Sequence, residues 1–173
     1  MKNTQKKSLE YFKRFDENPI DLKPYDPSLT PIAVELIDML VARLINIPVE
    51  ILHIGASAYE ISGKGGIEIA ILSRDEDWEK IKKRLFPLYG KPKFELTERV
   101  GYNTQFKWKA VEILLMRGDT AKLNKAVHTA LKGDTSKLQE YEAIKEESKH
   151  SNREYHIAKN KFFENIIEAL PEK

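Results

Sequence analysis

The sequence predicts an α+β fold: a mixed β-sheet with helices packed on one side and a helical C-terminal region. Three observations lead there. Two apolar runs, "VEILHIG" and "GIEIAIL", are joined by only about ten residues, too few for the crossover helix that a parallel neighbour needs. Three further strand-like segments, about 93–99, 103–108 and 110–116, follow a single helical stretch. From Gly118 onward the pattern is helical to the end. A doubly wound parallel sheet fits this order less well.

Taken in order, residues 4–15 read as a short amphipathic helix, with Leu9, Tyr11, Phe12 and Phe15 apolar. The next segment, "NPIDLKPYDPSLTP", carries four prolines and breaks any helix. A second helix is expected to start at Ser28, Thr30 or Pro31, where a hydroxyl cap and a first-turn proline coincide, and to run to about Ile45. Two strands follow, one closing at Gly55 and one carrying Glu68 between Ile67 and Ile69. "RDEDWEKIKKRLFPLYG" is a helix with acidic residues first and basic ones later, as the macrodipole favours, ended by Gly90. "RVGYN" has hairpin chemistry. Two Gly-Asp-Thr triplets each end one element and offer a cap to the next. The domain reading is an N-terminal helical extension over 1–20 and one domain over 21–173. Its sheet core lies at about 48–116 and its C-terminal helices at about 119–170.

Composition narrows the function. Apolar residues are 41% and charged residues 32%, which suits a folded chain that needs no covalent staples. There is no cysteine, which excludes a catalytic thiol and a thiolate zinc site. The N-terminal stretch is charged throughout and does not read as a signal peptide. No run approaches the roughly 20 apolar residues of a membrane helix, so the cytoplasm is the expected location and no membrane partner is expected. A net charge of +2 does not indicate nucleic acid. The cluster Lys80, Lys82, Lys83 and Arg84 reads as a solvated helix face. The histidines His128, His150 and His156 lack metal-site spacing.

The candidate site is the stretch from His53 to Ile69. Gly63-Lys64 resembles the end of a P-loop, but Ala58 and Gly65 stand where that motif needs Gly and Ser or Thr. The dinucleotide fingerprint is absent as well. A different layout fits. A strand ends in Gly55, small residues Ala56, Ser57 and Ala58 follow, and the next strand carries a carboxylate near its start. Small residues let a backbone approach phosphates closely. Carboxylates suit Mg²⁺, a hard cation that takes oxygen ligands. This layout resembles that of the nucleotidyltransferase fold, in which a metal ion neutralises charge developing on the phosphates.

"HIGASA…GKGGIEIAI" resembles the signature of the GrpB family of nucleotidyltransferase-like proteins. That signature reads His-Ile-Gly-Ser-Thr-Ala-Val-Pro-Gly-Leu, then a small-residue pair, Lys-Pro and Ile-Asp-Ile. His53, Ile54, Gly55 and Ala58 match, and Lys64, Ile67 and Ile69 match after a one-residue deletion. "LKPYDPSLTP" is similar to the family's Tyr-Asp-Pro lead-in to its first helix. Tyr141–Lys145 and the helix from Tyr155 resemble its two C-terminal Tyr-x-x-x-Lys helices, so the likeness runs from about Leu22 to Ile167. The resemblance implies a bound nucleoside triphosphate or other phosphorylated small molecule and a Mg²⁺ ion. Glu68 and Glu112 would be the metal ligands and catalytic carboxylates. Gly55, Ser57, Lys64 and His53 would contact the phosphate or ligand.

The departures weigh against full activity. Gly55-Ala56-Ser57 replaces Gly-Ser-Thr, Glu68 replaces Asp, and Ala70 stands where a second carboxylate of an Asp-x-Asp pair would be. The family's His-x-His strand is represented by Val111-Glu112-Ile113, and its Arg-bearing helix has lost both arginines in "NKAVHTALKG". Mg²⁺ holds its ligands near 2.0–2.1 Å, and a misplacement of about 1 Å costs on the order of 10²-fold in rate. Weakened or lost catalysis is expected, or a fold-retaining binding protein without catalysis. Plainer roles also fit several residues: Glu68 as an ion-pair partner of Lys64, Glu112 as a solvent-facing strand residue, His53 as a hydrogen-bonded core histidine. A Ser57–His53 nucleophile pair lacks an elbow sequence and an orienting acid.

Overall fold

The computed structural model describes residues 7–170. These fall into two compact units. One is Pro24–Asn124; the other joins the chain before it to the chain from Lys125 onward. The predicted helix over 4–15 is a single turn, α1 (Leu9–Phe12), its expected first residues lying outside the described ones.

The first unit begins with α2 (Leu29–Arg43). Ser28 makes no side-chain cap bond, contrary to expectation. Asp26 serves instead: its carboxylate accepts from the Ser28 amide at 2.9 Å and its carbonyl from Leu29 at 3.0 Å. The strands are β1 (Val49–Ile54) and, after the one-turn helix α3 (Gly55–Ala58), β2 (Ile67–Ser73). Helix α4 (Trp78–Tyr89) leads to β3 (Phe94–Leu96), β4 (Arg99–Phe106) and β5 (Lys109–Met116), and α5 (Gly118–Lys132) starts next. They form one five-stranded sheet in the order β1-β2-β5-β4-β3, with only the central β2–β5 pair parallel. The mixed α+β class predicted from the sequence is the one observed.

Strand alternation gives the sheet two different faces. Ile67, Ile69, Ile71, Val111, Ile113 and Leu115 line one face and pack with Leu36 and Leu40 of α2 and Ile81 and Leu85 of α4. Each such buried Leu or Ile stabilises the fold by roughly 1.5–3 kcal/mol relative to its exposed state. The other face has its own apolar cluster, Ile54, Ala70, Leu72, Leu114 and Met116, which Ala121 of α5 joins. Helices therefore pack on both faces, not on one. A fully buried parallel pair needs cover on each side.

The expected hairpin at "RVGYN" is strand. Gly101 sits mid-β4 because the Phe94 ring lies on it: a Cβ there would be 2.3 Å from Phe94 Cε1. The chain reverses just before this segment, at Thr97-Glu98 between β3 and β4, and again between β4 and β5 at Lys107-Trp108, both with positive φ (47° and 65°). Lys107 pairs with Glu35 and Lys109 with Asp26 at 2.7 Å, which ties the hairpin tip to α2 and its lead-in.

The Asp26–Lys109 pair predicts a pH dependence. The Lys109 ammonium, then Ser28, holds the Asp26 carboxyl down at about 2, against an ordinary 3.8. A depressed carboxylate stabilises the fold above its unfolded value and stops doing so as pH falls through the folded one. Wild type should lose more thermal stability than Asp26→Asn as pH drops from 3.8 to about 2. Parallel melting curves in acid would sink the assignment.

The second unit is built on α6 (Thr135–Ser148) and α7 (Asn152–Ala169), capped by Asp134 and Ser151. Tyr141 stacks on Phe162 with centroids 4.9 Å apart. The N-terminal segment is laid along the α6–α7 turn: Ile20 donates to Lys149 O, Asn152 to Asn18 O and Arg153 to Asp16 O. Phe15 stacks on His156 at 3.8 Å. No helix of the described residues is long and apolar enough to cross a membrane.

Candidate active site

The parallel pairing of β2 with β5 sets Glu68 directly against Glu112. On β4, Asn103 is the register partner of Glu112. Cross-strand partners share a face, so Glu68, Glu112 and Asn103 form a polar row across three strands. The row continues into Gln105, two residues further on the same face of β4. Behind it the same face is apolar: Ala70, Leu114 and Met116 belong to the cluster that Ala121 joins. Asn103 was not singled out from the sequence; its two-residue alternation with Gly101 gives no chemical signal without the register.

Gly55 holds the first carboxylate. It has φ +77°, and a Cβ there would lie 2.6 Å from Glu68 Oε1 and 2.7 Å from Glu68 Cδ. The Glu68 carboxylate thus rests on the Cα of the glycine that ends β1. Glu68 is half-buried, and none of the described residues makes a hydrogen bond or ion pair with it. The loop before β2 is anchored twice. Gly63 packs on Ala56, where a Cβ would come within 2.7 Å, and Gly66 packs on the Ala110 carbonyl at the start of β5. Lys64 is exposed between these anchors, at the same end of the sheet as Gly55.

His53 and Ser57 lie elsewhere. His53 pairs with Ile69, so it shares the α2-side face and not that of Glu68. Its Nε2 is 2.9 Å from the Oγ of Ser57, which is 4% exposed. The two brace the turn from behind. Ala70, where a second β2 carboxylate would stand, is fully buried among apolar neighbours. In the other unit, the Lys145 ammonium lies 4.8 Å from the Tyr141 ring and that of Lys159 lies 5.2 Å from the Tyr155 ring.

Glu68 and Glu112, neighbours in the strand register, offer hard oxygen donors of the kind Mg²⁺ requires. Among the described residues no group of three His, Asp or Glu side chains is placed to hold a metal. Two carboxylates still fit a Mg²⁺ ion that takes its remaining ligands from phosphate and water.

Residues 19–169 match the family described as GrpB protein. The chain belongs to the GrpB family. The crystal structure of the conserved protein GrpB from Enterococcus faecalis superposes with a TM-score of 0.66 at 15% identity, over 86% of this chain and 98% of that one. The mixed sheet with packed helices predicted for this GrpB chain is the architecture observed. Lower similarity reaches a ternary P/T complex of Leishmania infantum polymerase beta: TM-score 0.44, 10% identity, 74% of this chain and 54% of that one. It also reaches Cid1 in complex with its short product ApU: TM-score 0.47, 12% identity, 82% and 44%. No curated protein matches the chain in sequence.

Proposed function

We propose that this GrpB-family chain binds a nucleoside triphosphate, or a ligand with the same phosphate chemistry, at the end of the sheet formed by Gly55, Lys64, Glu68 and Glu112. The observation that carries the reading is the register of β2 on β5, which sets Glu68 and Glu112 side by side at the backbone on one face, with the Gly55 turn against the Glu68 carboxylate. Two like charges directly opposite are mutually destabilising, so their conjunction is better explained by a cation than by the sheet's own stability.

In this reading Glu68 and Glu112 would hold Mg²⁺, which when bound would neutralise charge on the phosphates. The Gly55 turn admits the ligand backbone-close because it lacks a Cβ. Lys64 supplies an exposed positive charge from the anchored loop. His53 and Ser57 fix the turn's shape through their hydrogen bond, so their contribution is to position Gly55 and Ala56.

Nucleotidyl transfer itself is proposed to be weak or lost. Ala70 is core, and Ser57 is turned to His53. A non-catalytic binding protein on the same fold is the second reading, and these two observations favour it. Calorimetric titration of ATP with Mg²⁺ tests the site. Binding that requires the metal is the expected result, and no heat of binding at millimolar ligand would overturn it. A radiolabelled nucleotidyl-transfer assay then separates the two readings.

A further inference from the structure

Trp108 is 94% exposed, at the tip of the β4–β5 hairpin. It contributes almost nothing to either core. It also occupies a left-handed backbone conformation, φ 65°, which a bulky L-residue adopts only under constraint. Lys107 before it is left-handed too, at 47°. Turns of this hand are ordinarily made from Asn and Gly. The tip is nevertheless held firmly, by Lys107 with Glu35 and Lys109 with Asp26. A strained, braced turn that presents a large aromatic ring to solvent points to a use for the ring.

Its place in the sheet says which use. β5 starts at Lys109 and runs parallel to β2, so the hairpin tip lies at the end where β2 begins and β1 finishes. That is the end carrying Gly55, Lys64, Glu68 and Glu112. From Glu112 to Trp108 is four residues, about 13 Å at the strand rise of ~3.3 Å. This is comparable with the length of an extended nucleoside triphosphate. Every nucleobase has a π-face that an indole can cover.

We infer that Trp108 is a stacking platform for the base of the nucleotide whose phosphates are held at the Gly55 turn, a contact that selects nucleotides over bare polyphosphates. The inference rests on the proposed phosphate site and adds a specificity-determining residue to it.

The test compares ATP–Mg²⁺ with tripolyphosphate–Mg²⁺ on wild type, Trp108→Ala and Trp108→Tyr. ATP should quench the emission of the exposed indole; Trp78, 4% exposed, supplies a constant background. Trp108→Ala should weaken ATP about 5- to 150-fold, the range for loss of one base–aromatic stack, while Trp108→Tyr keeps most of the affinity. Tripolyphosphate should bind wild type and Trp108→Ala equally. Trp108→Gly, which relaxes the backbone, should melt at a higher temperature than wild type and still bind ATP weakly. ATP affinity unchanged in Trp108→Ala would overturn the stacking role and leave the phosphate site standing. An equal loss for tripolyphosphate would show that Trp108 acts through the fold, and would overturn it too. Failure of wild type to bind either ligand would remove both readings.

Discussion

Glu68→Gln should weaken metal-dependent nucleotide binding at least about 10- to 100-fold while leaving the protein folded and slightly more stable. Glu68 and Glu112 are register partners on parallel strands, so the two acidic residues sit side by side on one face, their backbones one strand spacing of about 4.8 Å apart. Neutralising one removes a repulsion worth roughly 0.2–1 kcal/mol. The same change removes one of the two oxygen donors proposed for Mg²⁺. Loss of an outer-sphere partner alone typically costs 10–100-fold in metal affinity, so loss of a direct ligand should cost at least about that much. Calorimetry with ATP and Mg²⁺, set beside thermal melts of the free protein, reads both effects. Lower stability with unchanged binding would mean that the carboxylates serve the sheet and not a cation. Glu112→Gln should behave in the same way.

The second large effect is at Gly55. Gly55→Ala imposes a side chain at φ +77°, a conformation that costs an L-residue roughly 1–2 kcal/mol. Its Cβ would also meet Glu68 Oε1 at 2.6 Å. The Glu68 side chain is flexible and can swing away, so the steric part falls on the site more than on stability. Affinity for ATP–Mg²⁺ should therefore drop by on the order of 10²-fold, as for a misplacement of about 1 Å. The pair can be separated by a double-mutant cycle. With Glu68→Ala as background, Gly55→Ala should retain its backbone strain and lose its effect on binding. Additive losses across the cycle would show that the glycine acts independently of the carboxylate.

Much of the scaffold was legible in the sequence. β1 and β2 were found from their apolar runs, and α2 and α4 from helical periodicity, because burial is written locally as a repeat of two or 3.6 residues. Turn chemistry was less reliable. Gly101 looked like a turn and is a close-packing residue under Phe94, the β3–β4 reversal falling at Thr97-Glu98 instead, while the β4–β5 reversal, Lys107-Trp108, has none of the usual turn residues. Its strain is accommodated by ion pairs to Glu35 and Asp26, which are distant in sequence. The second helix starts within the expected Ser28–Pro31 window, but the Ser28 hydroxyl makes no cap bond; the Asp26 carboxylate instead reaches the Ser28 amide.

The sequence by itself determined that this chain is an α+β protein of the GrpB kind, with a carboxylate-bearing strand after a small-residue turn. It also determined that several of the family's polar positions are changed. Tertiary structure alone decided which of those residues meet. Glu68 stands beside Glu112 because β2 pairs with β5 in one register, and a slip of one residue would have put them on opposite faces. His53 was parted from Glu68 by the same alternation, and Trp108 was carried to the Gly55 end because β5 runs parallel to β2. Strand register is a nonlocal outcome of two buried faces packing at once, and no single stretch of sequence states it.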